Sequence, residues 1–380
     1  MPMIRPMFAA AALLCAGCYM SSGGRFAGDV DTDASHEVFP VEDVTPGDDG
    51  GDAEEIVPPA CDEAPLLVPT SVVTVGDSSP RTTGSAFYDP LRDRVIVAGG
   101  LRGSGDYTPE AVAIYPATGR ITLLGYEGTA PVGWTWAGTA HDPFGDRIFV
   151  AGGVVRGDFS SRVLVLRGAG DDRLAASELP SLPQPVRSAA AGYDPVGGRL
   201  VVFGGYDGTG GGGTSRRTLV LHPDEPGPGW LEMTDAGGPV AQEDALMLHV
   251  PDYGLVMLAA STENYAGVRV LYVMKTASSS WEEITLDPAW TPGNRPAFFW
   301  DDEACRLIVW GGGCTEGARS IDLFASPAWV VEIPLDLPGY VPRVFLNATL
   351  DPVRRQVVVQ GGYDCGVYTF LEPVDFIRFD

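Results

Sequence analysis

Basic residues are scarce in this chain. Of 380 residues, 50 are Asp or Glu and 25 are Lys or Arg, and Lys275 is the single lysine. The formal charge of −25 argues against nucleic acid as a partner, because phosphate backbones are held by clustered Lys and Arg. Histidine is sparse as well, with only His36, His141, His222 and His249. Long apolar runs are missing too. The run near the start, Phe8 to Leu14, is too short to cross a bilayer. Gly and Pro are plentiful, 49 and 32 residues, which implies many turns and short strands in place of long helices.

Residues 1–17 read as an export signal, with Arg5 ahead of the apolar run. The segment Leu14-Cys15-Ala16-Gly17-Cys18 resembles the lipobox of bacterial lipoproteins, with Cys15 where Leu is usual. That resemblance implies that Cys18 is acylated and becomes the first residue of the mature chain. It also implies a membrane partner through the lipid, and Tyr19 in place of Asp favours the outer membrane. Residues 18–60 read as a disordered acidic linker. Between 18 and 64 there are 13 acids and one base, Arg25, and too few apolar residues to offset ordering entropy. Asp29, Asp31 and Asp33 imitate the start of a calcium loop, but Ala34 and Pro40 stand where Gly and Glu are needed. No metal is expected there.

A repeat fills the rest. Val95-Ile96-Val97-Ala98-Gly99-Gly100 returns as Ile148 to Gly153, Leu200 to Gly205, Val256 to Ala260, Leu307 to Gly312 and Val357 to Gly362. The intervals are 53, 52, 55, 52 and 50 residues, room for four short strands each. The first strand precedes an Asp-Pro turn, as in Gly84 to Tyr88 and Ala189 to Tyr193; the second ends in Gly-Gly. The third is expected at Ala111 to Tyr115, Arg162 to Leu166, Thr218 to Leu221, Val268 to Met274, Trp329 to Ile333 and Asp375 to Phe379. This pattern resembles the Kelch repeat family and the related central propeller of galactose oxidase. The resemblance implies an all-β, six-bladed β-propeller over residues 61–380. The last unit lacks a fourth strand, and Leu66 to Val75 is expected to supply it and close the ring. In the turns, Asp89 is followed by Arg94, Asp142 by Arg147, Asp194 by Arg199, Asp301 by Arg306 and Asp351 by Arg355. Recurrence in five units makes these pairs structural turn devices.

Four cysteines remain after Cys15 and Cys18. Cys305 and Cys314 lie at opposite ends of one strand, more than about 20 Å apart at about 3.3 Å per residue, and cannot join. Cys314 and Cys365 follow Gly-Gly in adjacent units, which pairs them; Cys61 then pairs with Cys305. That layout leaves no four-Cys metal site. No nucleophile elbow, phosphate loop or Tyr-His-Cys copper set is present, so no cofactor and no catalytic residue is expected. Arg81, Arg187, Arg295 and Arg343 each open a first strand, on the face that receives Tyr107, Tyr206, Arg216, Tyr265 and Tyr363. Such a face suits an acidic peptide or a glycan. The expected function is a non-catalytic, monomeric binding module on the cell envelope, with a protein or glycan ligand. The alternatives are an exported propeller enzyme acting on sugars, similar to the Kelch-fold sialic acid epimerases, and a structural envelope component.

Overall fold

The computed structural model describes residues 68–379, apart from 77–78, 209–212, 226, 228, 234–237, 260–267, 277, 279, 291, 293–294, 313–316, 336 and 365–368. Every regular element among the described residues is a β-strand. Cys18, Cys61, Cys314, Cys365 and Tyr265 lie outside the described residues, as do the signal and linker of the sequence reading.

The apolar runs are the second strands of six four-stranded antiparallel units. Unit one is Ser85–Asp89, Arg94–Ala98, Ala111–Tyr115 and Arg120–Glu127. Unit two is Gly138–Asp142, Arg147–Ala151, Val163–Gly168 and Arg173–Leu179, and unit three is Ala190–Asp194, Arg199–Phe203, Thr218–Leu221 and Leu231–Met233. Unit four is Leu246–Val250, Gly254–Leu258, Val268–Met274 and Glu282–Trp290. Unit five is Ala297–Asp301, Arg306–Trp310, Ala318–Asp322 and Ala328–Ile333. Unit six is Asn347–Asp351, Gln356–Gln360 and Val374–Phe379, with Pro69–Val75 as its outer strand. Val72 pairs with Ile377 and Val73 with Phe376. The chain's first described strand thus completes its last unit, as the sequence implies. The outer strands of units one and two pair in parallel, as do those of units four and five, making two eight-stranded sheets.

Why the second strands are apolar throughout follows from what flanks them. Ile96 and Ala98 pack toward unit two, while Val95 and Val97 pack toward unit six. A strand buried on both faces has no polar side, so it reads as a continuous apolar run. Six apolar clusters result, each filled from two neighbouring units. The units therefore follow one another in a closed, propeller-like ring.

The Gly-Gly pair marks where the next unit's lead-in crosses. Both glycines are left-handed, at φ 68° and 102° for Gly99 and Gly100. A Cβ on Gly99 would stand 2.4 Å from the Trp134 ring, and one on Gly361 would stand 2.0 Å from the Arg81 carbonyl. The second glycine's N–H donates to that same lead-in. Gly100 bonds Trp134 O at 2.7 Å, Gly153 bonds Val186 O at 2.8 Å and Gly205 bonds Gln242 O at 2.8 Å. Only glycine combines positive φ with so close an approach.

Two expectations are corrected in unit five and one in unit six. The third strand of unit five is Ala318–Asp322, and the segment around Trp329 is its outer strand. Ala-Arg-Ser-Ile-Asp has little β-branched character, and pairing on both sides holds it extended. Arg306 pairs with Asp322 at 2.6 Å, not with Asp301. Arg355 reaches back to Asp301 and Glu303 of unit five, while Gln356 donates to Asp351 at 2.9 Å. The turn device needs its donor five residues after the Asp, and Arg355 is only four after Asp351.

Candidate functional site

Each inner strand is preceded, two residues earlier, by a non-glycine residue in the left-handed region. These are Thr83, Trp136, Ser188, Asp244, Arg295 and Phe345, with φ between 49° and 59°. Left-handed backbone costs an L-residue about 1–2 kcal/mol, so six in register must be held by their surroundings. A belt of backbone bonds does this. Thr83 N donates to Phe345 O at 3.2 Å, Trp136 N to Thr83 O at 3.4 Å, Ser188 N to Trp136 O at 2.8 Å, and Asp244 N to Ser188 O at 2.8 Å. These bonds link units six, one, two, three and four around one end of the ring, which we term the mouth.

The side chains of the belt differ in every unit, although its backbone repeats. Phe345, Thr83 and Trp136 follow one another, and so do Ser188, Asp244 and Arg295. Arg295 pairs with Asp244 of unit four at 3.2 Å and donates to Ser188 Oγ of unit three at 3.4 Å. A side chain from unit five that touches unit three must lie across the mouth. Trp136, Phe345, Asp244 and Arg295 are partly exposed; Thr83 and Ser188 are buried.

Aromatic groups flank the belt. The Arg187 guanidinium lies over three rings, 4.8 Å from Trp136, 4.8 Å from Tyr206 and 5.5 Å from Phe159. It is also 3.8 Å from the buried carboxylate of Glu243. On the other side Phe345, Tyr363 and Phe370 form a second cluster, with Tyr363 and Phe370 centroids 4.4 Å apart.

The four arginines of the sequence reading do not occupy one structural position. Arg81 and Arg343 stand four residues before their inner strands, Arg187 three before, and Arg295 two before. That shift decides where each side chain goes. Arg81 and Arg343 point into the seam and are only 0% and 1% exposed. Arg81 donates to Glu110 O at 2.7 Å and Gly99 O at 3.3 Å, and burial lowers its pKa to about 10. Arg343 donates to Gly361 O at 3.2 Å and is paired with the buried Asp375. Both hold the Gly-Gly crossing together and are unable to reach a ligand here. Neither lies on an exposed face. Arg187 and Arg295 remain at the mouth.

Among the aromatic residues, Tyr206 bonds backbone-to-backbone with Arg187 at 2.9 and 3.0 Å, and Tyr363 joins the second cluster. Tyr107 bridges to Leu101, and Arg216 is exposed on a loop of unit three. Trp136, Ser188, Asp244 and Phe345 were not singled out from the sequence. Their signal is a fixed offset, two residues before each inner strand, at which the residue changes in every repeat.

Cys305 is disulfide-bonded, and its partner lies outside the described residues. Among the described residues no group of three or more His, Cys, Asp or Glu converges as metal ligands would. Burial lowers the pKa of His141, to about 4, and that of His249, and the two stand in separate units. An open groove of about 540 Å³ lies away from the mouth, against the outer strands of units four and five, lined by Asp287, Arg306, Asp322 and Trp329 among others. No family model matches this chain, and no curated protein matches it.

Proposed function

We propose that this chain is a Kelch-type, six-bladed propeller working as a non-catalytic binding module, with a protein or glycan docking at the mouth. One observation carries the reading. Positions that build the ring keep their residue in five of the six units, as Gly-Gly and the turn Asp do, unit four having Ala259-Ala260 instead. The belt keeps its backbone and changes its side chain six times. Chemistry that is uniform in conformation and different in every copy is what recognition of an unsymmetrical ligand requires. In this reading the propeller is exported as a monomer, held to the envelope by a lipid on Cys18 and spaced from the outer membrane by its acidic linker.

The test is a binding screen of the full chain against envelope proteins and oligosaccharides. It is repeated with Trp136→Ala and Phe345→Ala, and with Trp329→Ala as a control, because Trp329 is 50% exposed but lies in the distant groove. Losses of about tenfold or more are expected for the two mouth variants, as for aromatic anchors at other interfaces, and none for the control. Equal binding by all four proteins would refute the mouth as the docking site.

A further inference from the structure

We propose that the ligand of the mouth is an uncharged glycan, an inference that rests on the binding function above and specifies its ligand class. The belt has two arcs of different chemistry. On one arc the partly exposed rings of Phe345 and Trp136 flank the buried Thr83, and Ser188, Asp244 and Arg295 make the polar arc. A sugar ring has the same two sides. Its C–H faces stack on aromatic rings, and its hydroxyls both donate and accept. The Asp244 carboxylate accepts from one hydroxyl, and the Arg295 guanidinium beside it, 3.2 Å away, donates to the oxygen of the next. An adjacent anion and cation thus read two neighbouring hydroxyls with charge-assisted hydrogen bonds. Trp136 is ready for stacking, because the Arg187 guanidinium lies 4.8 Å from its ring centre and restrains it before any ligand arrives.

Charge selects against acidic ligands. At the belt Arg295 is matched by Asp244 and Arg187 by Glu243. A carboxylate seated on the belt has to displace Asp244 or Glu243 and leave it unpaired, and an unpaired, partly buried charge is costly. A neutral polyol adds hydrogen bonds to the Asp244–Arg295 pair and leaves it intact. The acidic peptide allowed by the sequence reading is therefore disfavoured.

The experiment applies the full chain to an array with three kinds of probe. These are neutral oligomers of glucose, galactose, mannose and N-acetylglucosamine; sialylated and uronate-containing oligosaccharides; and acidic peptides. Binding to one or more neutral oligomers, above every acidic probe, is the expected result. Asp244→Asn keeps the shape and removes the countercharge of Arg295. It is expected to weaken neutral binding by about tenfold, one hydrogen-bonded charge's worth, and to raise capture of uronate-containing probes. Trp136→Ala weakens both. A wild-type chain that prefers acidic probes, or that binds no neutral oligomer, overturns the ligand class. So does an Asp244→Asn variant with an unchanged ratio of neutral to acidic binding. If an acidic or protein ligand binds and Trp136→Ala abolishes that binding, the mouth stands and only the ligand class falls. If neither variant alters any binding, the mouth itself is wrong. Thermal unfolding of each variant separates lost binding from lost folding.

Discussion

His141 occupies the inner strand of unit two where Tyr88 and Tyr193 stand in the neighbouring units. Those tyrosines have polar partners. Tyr88 donates to Asp93 at 2.7 Å, and Tyr193 accepts from Arg147 at 2.8 Å. His141 packs near the Phe87 ring, 5.6 Å between centroids. Burial pulls its pKa from 6.5 to about 4, opposed in part by the negative charges of Asp142, Asp89 and Asp146. Between those two values the unfolded chain binds a proton that the folded chain does not. The contribution to stability is complete above about pH 6.5 and shrinks as pH falls toward 4, by up to about 1.4 kcal/mol per pH unit. His141→Phe should flatten this part of the stability profile. Urea midpoints at pH 7 and pH 5 would show it; an equal drop in both proteins would assign the acid sensitivity elsewhere. The histidine's place was legible from its offset before Asp142. Its neutrality was not, because burial is set by the adjoining unit.

The turn between the first and second strands is the element that the sequence describes best. Asp194 Oδ1 accepts from the N–H groups of Val196 and Gly197, at 3.1 and 2.9 Å, and Oδ2 accepts from Arg199 Nε at 3.1 Å. Arg199 goes on to Ser278 O and Lys275 O of unit four, so the turn also ties two units together. Asp194→Ala removes two acceptor oxygens and the three hydrogen bonds they receive, leaves a buried guanidinium short of its countercharge, and should cost about 3–5 kcal/mol. Asp194→Asn keeps the caps and should cost less. Chemical denaturation ranks the two, and equal losses would show that the caps contribute nothing. The short range of this device is why it could be read from the sequence. Where the donor moved by one residue, at Arg355, the sequence reading failed, because the partner that claims Arg355 is 54 residues away at Asp301. The third strand of unit five was missed for a related reason: its extension comes from partners on both sides and not from its own residues.

At the scale of the whole ring, Pro69–Val75 closes unit six against Val374–Phe379. A chain beginning at Gly76 would leave Val374–Phe379 as an open edge carrying unpaired N–H and C=O groups. Its melting midpoint should fall by about 5 °C or more, at roughly 2–4 °C per kcal/mol, and self-association should rise. Calorimetry and size-exclusion chromatography check both, and an unchanged midpoint would mean that the strand adds nothing to closure. By itself the sequence determined the all-β class, the six repeats, the Gly-Gly pairs, most turn devices and the closing strand. These rest on period, turn chemistry and apolar runs, all local and copied in at least five of the six units. Only the tertiary structure decided the mouth. Whether an arginine ahead of an inner strand faces the seam or the ligand depends on one or two residues of offset. That offset is fixed by backbone bonds to neighbouring units, distant in sequence. Those bonds, with the Arg295 side chain, gather Trp136, Ser188, Asp244, Arg295 and Phe345 from five units into one site, which the sequence marks only by a fixed offset before each inner strand.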